Sequence, residues 1–212
     1  MQDSASRPSN AAQIAIVPPA RFGAGAQWAV HACGLGLVLP VLASVLVMSL
    51  GRFAPWSLLL PLAAIAGTAY FLPMGLGNAC LARVARSLDP AAGIDPDSFI
   101  VQLTLSPRVR SGLWAELEDA DDIGCLRLTE SGMVYEGDSV KVSLPYSQIG
   151  RLRSRNIGLR GLFIYGRRIV VEISGHPKVS ALEFAERSSC VLPASRRTTQ
   201  RLWDRLSSRL AR

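Results

Sequence analysis

Charged side chains vanish from two long stretches of this chain. Between Phe22 and Gly51, and again between Phe53 and Leu81, there is no Asp, Glu, Lys or Arg, and Arg52 alone separates the runs. About 20 apolar residues rising ~1.5 Å each cover a ~30 Å hydrocarbon core. The pattern therefore predicts two membrane spans, at about residues 28–50 and 56–80, forming a helical hairpin over residues 23–88. Trp28 and Trp56 would lie near opposite interfaces, where indole rings are favoured. The short link Gly51 to Pro55 puts both chain ends on one side. Arg7, Arg21, Arg83 and Arg86 flank the hairpin at those ends against Arg52 in the link, which predicts that both termini are cytoplasmic. The arrangement predicts a multi-pass protein of the bacterial inner membrane.

Elsewhere the pattern changes. Residues 1–22 are small, polar and proline-containing, without a sustained period, and read as a mobile leader. Two Asp-Pro pairs in residues 89–98 mark a linker. Beyond it the period becomes two. Phe99, Val101, Leu103 and Leu105 alternate with Ile100, Gln102 and Thr104, and Val140, Val142 and Leu144 alternate with polar residues. Ile169, Val171 and Ile173 repeat the pattern, and shorter candidates lie at 124–128, 133–136, 162–165 and 179–184. Turn residues at 130–132, 136–139 and 165–168 separate them as in hairpins. Seven short strands in under ninety residues predict an antiparallel sandwich or barrel. The end of the chain turns helical: Ser195 is a candidate cap, Thr199, Leu202, Trp203, Leu206 and Leu210 share an apolar face, and Arg197, Arg201, Arg205 and Arg209 recur on another.

This order, with the local text "CLRLTESGMVYEGDSVKVSLPYSQIGRL" and "GLFIYGRRIVVEIS" before "ALEF", resembles the pleckstrin-homology-like superfamily in its bacterial PH and GRAM-like branches. The likeness covers roughly residues 99–211 and rests on hydrophobic spacing. It implies a PH-like domain over residues 99–212, an antiparallel barrel of about seven strands capped by one C-terminal α-helix. Two departures stand out: a long acidic segment between the first two strands, and Tyr146 where related two-span proteins carry tryptophan.

Composition narrows the chemistry. Only two histidines occur, His31 within the first run and His176 in a Gly-His-Pro turn, and no nucleophile, zinc or phosphate-loop motif is present. Cys33, Cys80, Cys125 and Cys190 form no C-x-x-C pair and are expected as free thiols. The acidic run from Glu116 to Asp122 lacks calcium-loop spacing. These observations predict a protein that is not an enzyme and carries no metal or cofactor.

Charge is distributed unevenly. Residues 89–138 hold 3 basic and 11 acidic side chains, a balance of −8, while residues 139–212 hold 15 basic and 4 acidic, a balance of +11. Arg151, Arg153, Arg155 and Arg160 lie between two expected strands, and Arg167 and Arg168 at a neighbouring hairpin. In lipid-binding PH-like domains one rim of the barrel takes acidic head groups, so the resemblance makes these six arginines candidates for contact with anionic lipid or a protein partner. Each arginine held at an anionic surface contributes about 1 kcal/mol. The competing reading is that these arginines are solvated surface or pair with the acidic cluster, in a chain where 21 of 23 basic residues are arginine. Nucleic acid is not indicated, because no aromatic side chains interleave with the charge.

The apolar runs carry small residues at close spacing, Gly34 with Gly36, Ala63 with Gly67 and Gly75 with Ala79, which let helices approach within the hairpin or against a protein partner or second copy. The function expected is a non-catalytic, membrane-anchored binding module in contact with the lipid bilayer. The alternative is a structural or accessory subunit of a larger membrane complex assembled through the hairpin.

Overall fold

The alternating apolar positions find their partners in one curled antiparallel sheet. The structure, a computed structural model, describes residues 11–18, 45, 72–108, 120–156 and 167–211. Its strands are β1 (Gln13–Ile16), β2 (Ser98–Ser106), β3 (Asp122–Leu128), β4 (Gly132–Gly137), β5 (Val140–Pro145), β6 (Ile149–Arg155), β7 (Arg168–Ile173) and β8 (Ala181–Glu186). They pair in the order β1-β5-β4-β3-β2-β8-β7-β6, every neighbouring pair antiparallel. Helix α1 (Asn78–Leu88) precedes β2, and helix α2 (Leu192–Leu210) follows β8.

Because side chains alternate across a strand, the registers sort the residues onto two faces. The concave face collects Phe99, Val101, Leu103 and Leu105 of β2, Leu126 of β3, Tyr135 of β4, Val142 of β5, Val171 of β7 and Phe184 of β8. Leu202 and Leu206 of α2 complete this core. On the opposite face a second, smaller cluster joins Ile100, Ile123 and Cys125 to Leu81, Ala82 and Ala85 of α1 and to Ala92. Strand β2 is therefore covered on both sides, which explains why eight of its nine residues are buried, Gln102 and Thr104 among them.

The expected fold class, a membrane helical hairpin plus a PH-like barrel of about seven strands, is corrected. The structure is an eight-stranded half-barrel with β1 and β6 as its ends and two helices packed on it. Among the described residues no helix is long and apolar enough to cross a membrane. The multi-pass inner-membrane placement with cytoplasmic termini falls with the same observation. The first expected span, 28–50, lies outside the described residues except for Val45, and so do residues 56–71 of the second. The end of that second run is visible. Leu72–Gly77 form a π-helical turn, and Asn78 to Cys80 begin α1. Hydropathy alone does not distinguish apolar residues that face lipid from those that face a sheet, and Leu81, Ala82 and Ala85 of α1 face the sheet.

Two strands depart from the sequence pattern. Gln13–Ile16, within the segment read as a leader, pairs with β5 from Gln13 opposite Ser143 to Ile16 opposite Val140. The arginine-rich segment read as a connection is β6, paired with β7 along Ile149–Arg155 with an irregularity between Ile149 and Arg151. The candidate strand at 162–165 lies outside the described residues. In α2 the helix starts three residues before Ser195, whose hydroxyl is buried without a hydrogen-bond partner and caps nothing. The turn is made instead by extended Val191, with Pro193 in the first helical turn, where the missing N–H costs no bond.

Candidate functional site

Strand β6 alternates arginine with other residues, so Arg151, Arg153 and Arg155 share the convex face, and all three are exposed. Registers bring Arg168 and Glu172 of β7 and Glu183 of β8 onto that same face. The result is a ladder of opposite charges. Arg153 meets Glu172 at 2.7 Å, and Glu183 receives Arg155 at 2.9 Å and Arg168 at 3.6 Å. Arg168 is buried and also reaches Thr104. Cross-strand pairs of this kind stabilise a sheet by about 0.2–1 kcal/mol each. They also neutralise much of the charge that made the segment a candidate. A depression of about 350 Å³ beside the ladder is lined by Arg155 and Arg168 together with Glu183 itself.

Arg167 belongs elsewhere. One residue before β7, it lies with Ser154 and Asn156 of the β6 end, Ile169, and Arg196, Arg197, Thr199, Gln200 and Trp203 of α2 around a cleft of about 760 Å³. Strand and helix come together here because Trp203 packs, half-buried, against the concave core. Three guanidinium groups line the cleft, and among the described residues no carboxylate does. Arg197 donates to the Pro193 carbonyl of its own helix. Thr199 is 7% exposed, and its hydroxyl has no partner.

The other half of α2 is occupied differently. Arg205 and Arg209 reach back to Asp97 in the segment before β2, at 3.1 and 3.4 Å. The helix therefore divides its arginine stripe. The C-terminal pair holds the fold together, while Arg196, Arg197 and Arg201 are exposed and have no carboxylate partner among the described residues. A groove along this side is lined by Arg197, Arg201 and Arg205 with Asp204, whose carboxylate is engaged by Gln200.

Titratable groups with displaced pKa values sit away from the cleft. Burial pushes the Asp122 carboxyl above its usual range, against the opposing pull of backbone N–H groups from Ser139 and Val140 that donate to it. Burial raises Tyr135 well above an ordinary phenol, and neighbouring Asp122 raises it further. Both side chains are fully enclosed. Cys125 is buried, with its thiol raised by burial and its sulfur 3.1 Å from Ser98 Oγ. Cys80 and Cys190 are exposed free thiols. His176 accepts backbone N–H groups of Lys178 and Val179 through Nδ1, a turn-forming role. Among the described residues no cluster of His, Cys, Asp and Glu has the arrangement of a metal site.

Of the six candidate arginines, Arg151, Arg153, Arg155 and Arg168 share the convex face, Arg167 lines the cleft, and Arg160 lies outside the described residues. Gly34, Gly36, Ala63 and Gly67 also lie outside them. Gly75 sits in the π-helical turn, where an added Cβ would meet nothing within 4 Å, and Ala79 is exposed. Sequence reading overlooked Arg196, Asn156 and Gln200. The Arg196–Arg197 doublet in the early turns of an amphipathic helix was the signal available for them. No family model, curated protein or solved structure matches the chain.

Proposed function

We propose that the chain is a non-catalytic binding module whose basic end recognises an anionic group. The observation that carries this reading is the cleft between the β6–β7 end and α2, which Arg167, Arg196 and Arg197 line together with no carboxylate among the described residues. Guanidinium groups present several donors in a rigid fork and stay charged at every accessible pH, so such a lining favours phosphate or carboxylate over neutral ligands. The non-catalytic part is supported by the enclosure of Asp122 and Tyr135 and by the turn-forming role of His176.

Anionic lipid head groups and an acidic protein surface both present this chemistry. The full chain should sediment with vesicles containing phosphatidylserine more than with phosphatidylcholine alone, and added salt should weaken the preference, since exposed charges are screened over about 8 Å. Replacing Arg167, Arg196 and Arg197 together by glutamine should remove most of it. Replacing Arg153 and Arg155, already paired with Glu172 and Glu183, should do less. A preference that survives the first replacement and is lost with the second would move the site to the β6 ladder.

A further inference from the structure

We infer that the cleft beside α2 is a site for a small phosphomonoester carrying a planar ring, a ligand of the mononucleotide class. The inference rests on the anion-binding reading above and goes further in naming size, charge state and carrier. The volume, about 760 Å³, falls in the range that encloses a small molecule. Three guanidinium groups, one just before β7 and two from successive positions of α2, would be left under-compensated by a singly charged carboxylate and suit a group with two negative charges and three acceptor oxygens.

The remaining lining suits the rest of such a ligand. Thr199 borders the same cleft, with its hydroxyl enclosed beneath the surface. Asn156 contributes an amide that donates and accepts, as the edge of a heteroaromatic ring requires, while Gln200, whose amide nitrogen already donates to Asp204, contributes its carbonyl as an acceptor. Trp203 and Ile169 supply the apolar wall, and an indole face stacks on flat rings.

The lining has a second property that makes the inference testable. Among the described residues it contains Ser, Asn, Arg, Ile, Thr, Gln and Trp, and no His, Asp, Glu, Cys, Lys or Tyr. None of these described lining residues titrates between pH 5 and 8, so the pH dependence expected of binding in that range is that of the ligand. A phosphomonoester loses its second charge near pH 6, at about the second pKa of a phosphate ester, whereas a sulfonate or carboxylate keeps one charge throughout.

Calorimetric titration of the full chain with phenyl phosphate, inorganic phosphate, benzenesulfonate and adenosine 5′-monophosphate, each at pH 7.5 and pH 5.0, tests this. Phenyl phosphate and the nucleotide should bind several-fold more tightly than inorganic phosphate, and both should weaken by roughly tenfold at pH 5.0, a change of the size expected for loss of one charge-assisted contact. Arg167→Gln, at an exposed position outside the core, should lower phosphate affinity without changing thermal stability. Trp203→Leu should remove the advantage of ring-bearing ligands while leaving inorganic phosphate unchanged. Equal, pH-independent binding of benzenesulfonate and phenyl phosphate would overturn the phosphate assignment and leave the anion-binding reading intact. Binding of inorganic phosphate as tight as the ring-bearing esters would overturn the ring. No heat with any anion would overturn both readings.

Discussion

The side-chain amide of Asn78 donates to the backbone carbonyl of Ser189 at 2.6 Å, joining the first turn of α1 to the loop that leads into α2. The two residues are 111 positions apart, and Asn78 is only 1% exposed. One hydrogen bond thus ties together the helices that cover opposite faces of the sheet.

Asn78→Ala should therefore weaken the fold beyond the loss of a surface contact. The orphaned Ser189 carbonyl and the vacated space together cost about 1–3 kcal/mol. Urea unfolding of the full chain should show the lower midpoint, and amide hydrogen exchange should quicken first in α1. An unchanged midpoint with unchanged exchange would mean that the contact holds nothing in place.

Asp122 makes a prediction about pH. Its folded pKa is raised above 3.8 by burial, so as pH rises from acid the unfolded chain releases this proton first. Over the interval between the two pKa values the native state binds more protons, and stability falls as pH rises. Asp122→Asn keeps an acceptor for the Ser139 and Val140 N–H groups and abolishes the titration. Relative to wild type the variant should gain stability steadily from about pH 4 upward and reach a plateau above the folded pKa. Unfolding midpoints at pH 4, 5.5 and 7 measure this, and a difference independent of pH would contradict the raised pKa.

The last helix allows a comparison of two positions on one apolar face. Leu206 is fully buried in the concave core, whereas Trp203 is only partly so. Leu206→Ala should cost about 2–5 kcal/mol through lost burial and an unfilled cavity. Trp203→Ala removes a larger side chain but from a half-open position, and should cost less. Chemical denaturation ranks the two, and the reverse order would place the indole deeper than α2 now holds it.

Much of the sheet was legible because its strands are one-sided. Val140, Val142 and Leu144 alternate with Lys141 and Ser143, and the structure buries the first set and exposes Lys141 and Ser143. β6 escaped because its arginines occupy the convex face and only Ile149 and Leu152 pack against the core, so the apolar half of the alternation is nearly empty. β1 escaped because four residues with a largely exposed pattern carry almost no period and gain their structure from pairing with β5. At α1 the apolar run was visible but its partner was not: a sheet face presenting Ile100, Ile123 and Cys125 is assembled from strands that follow it in the chain. The cleft depends on Arg167 meeting Arg196 and Arg197 across thirty positions of sequence, a juxtaposition made by the β7–β8 hairpin and the return of α2.

Strand β1 and helix α1 both dock on the same sheet, β1 along β5 and α1 over β2 and β3. The stretch between Pro18 and Leu72 is consequently bracketed, with its entry and exit fixed to one folded body. Its two ends cannot be drawn apart without either peeling a four-residue strand from the sheet edge or unseating α1 from Ile100 and Ile123. Of the two, β1 is the weaker attachment, being short, exposed and at an edge. Tension applied through that stretch would release the N-terminal strand first and leave β5 with an open edge, while the core under α2 stayed closed.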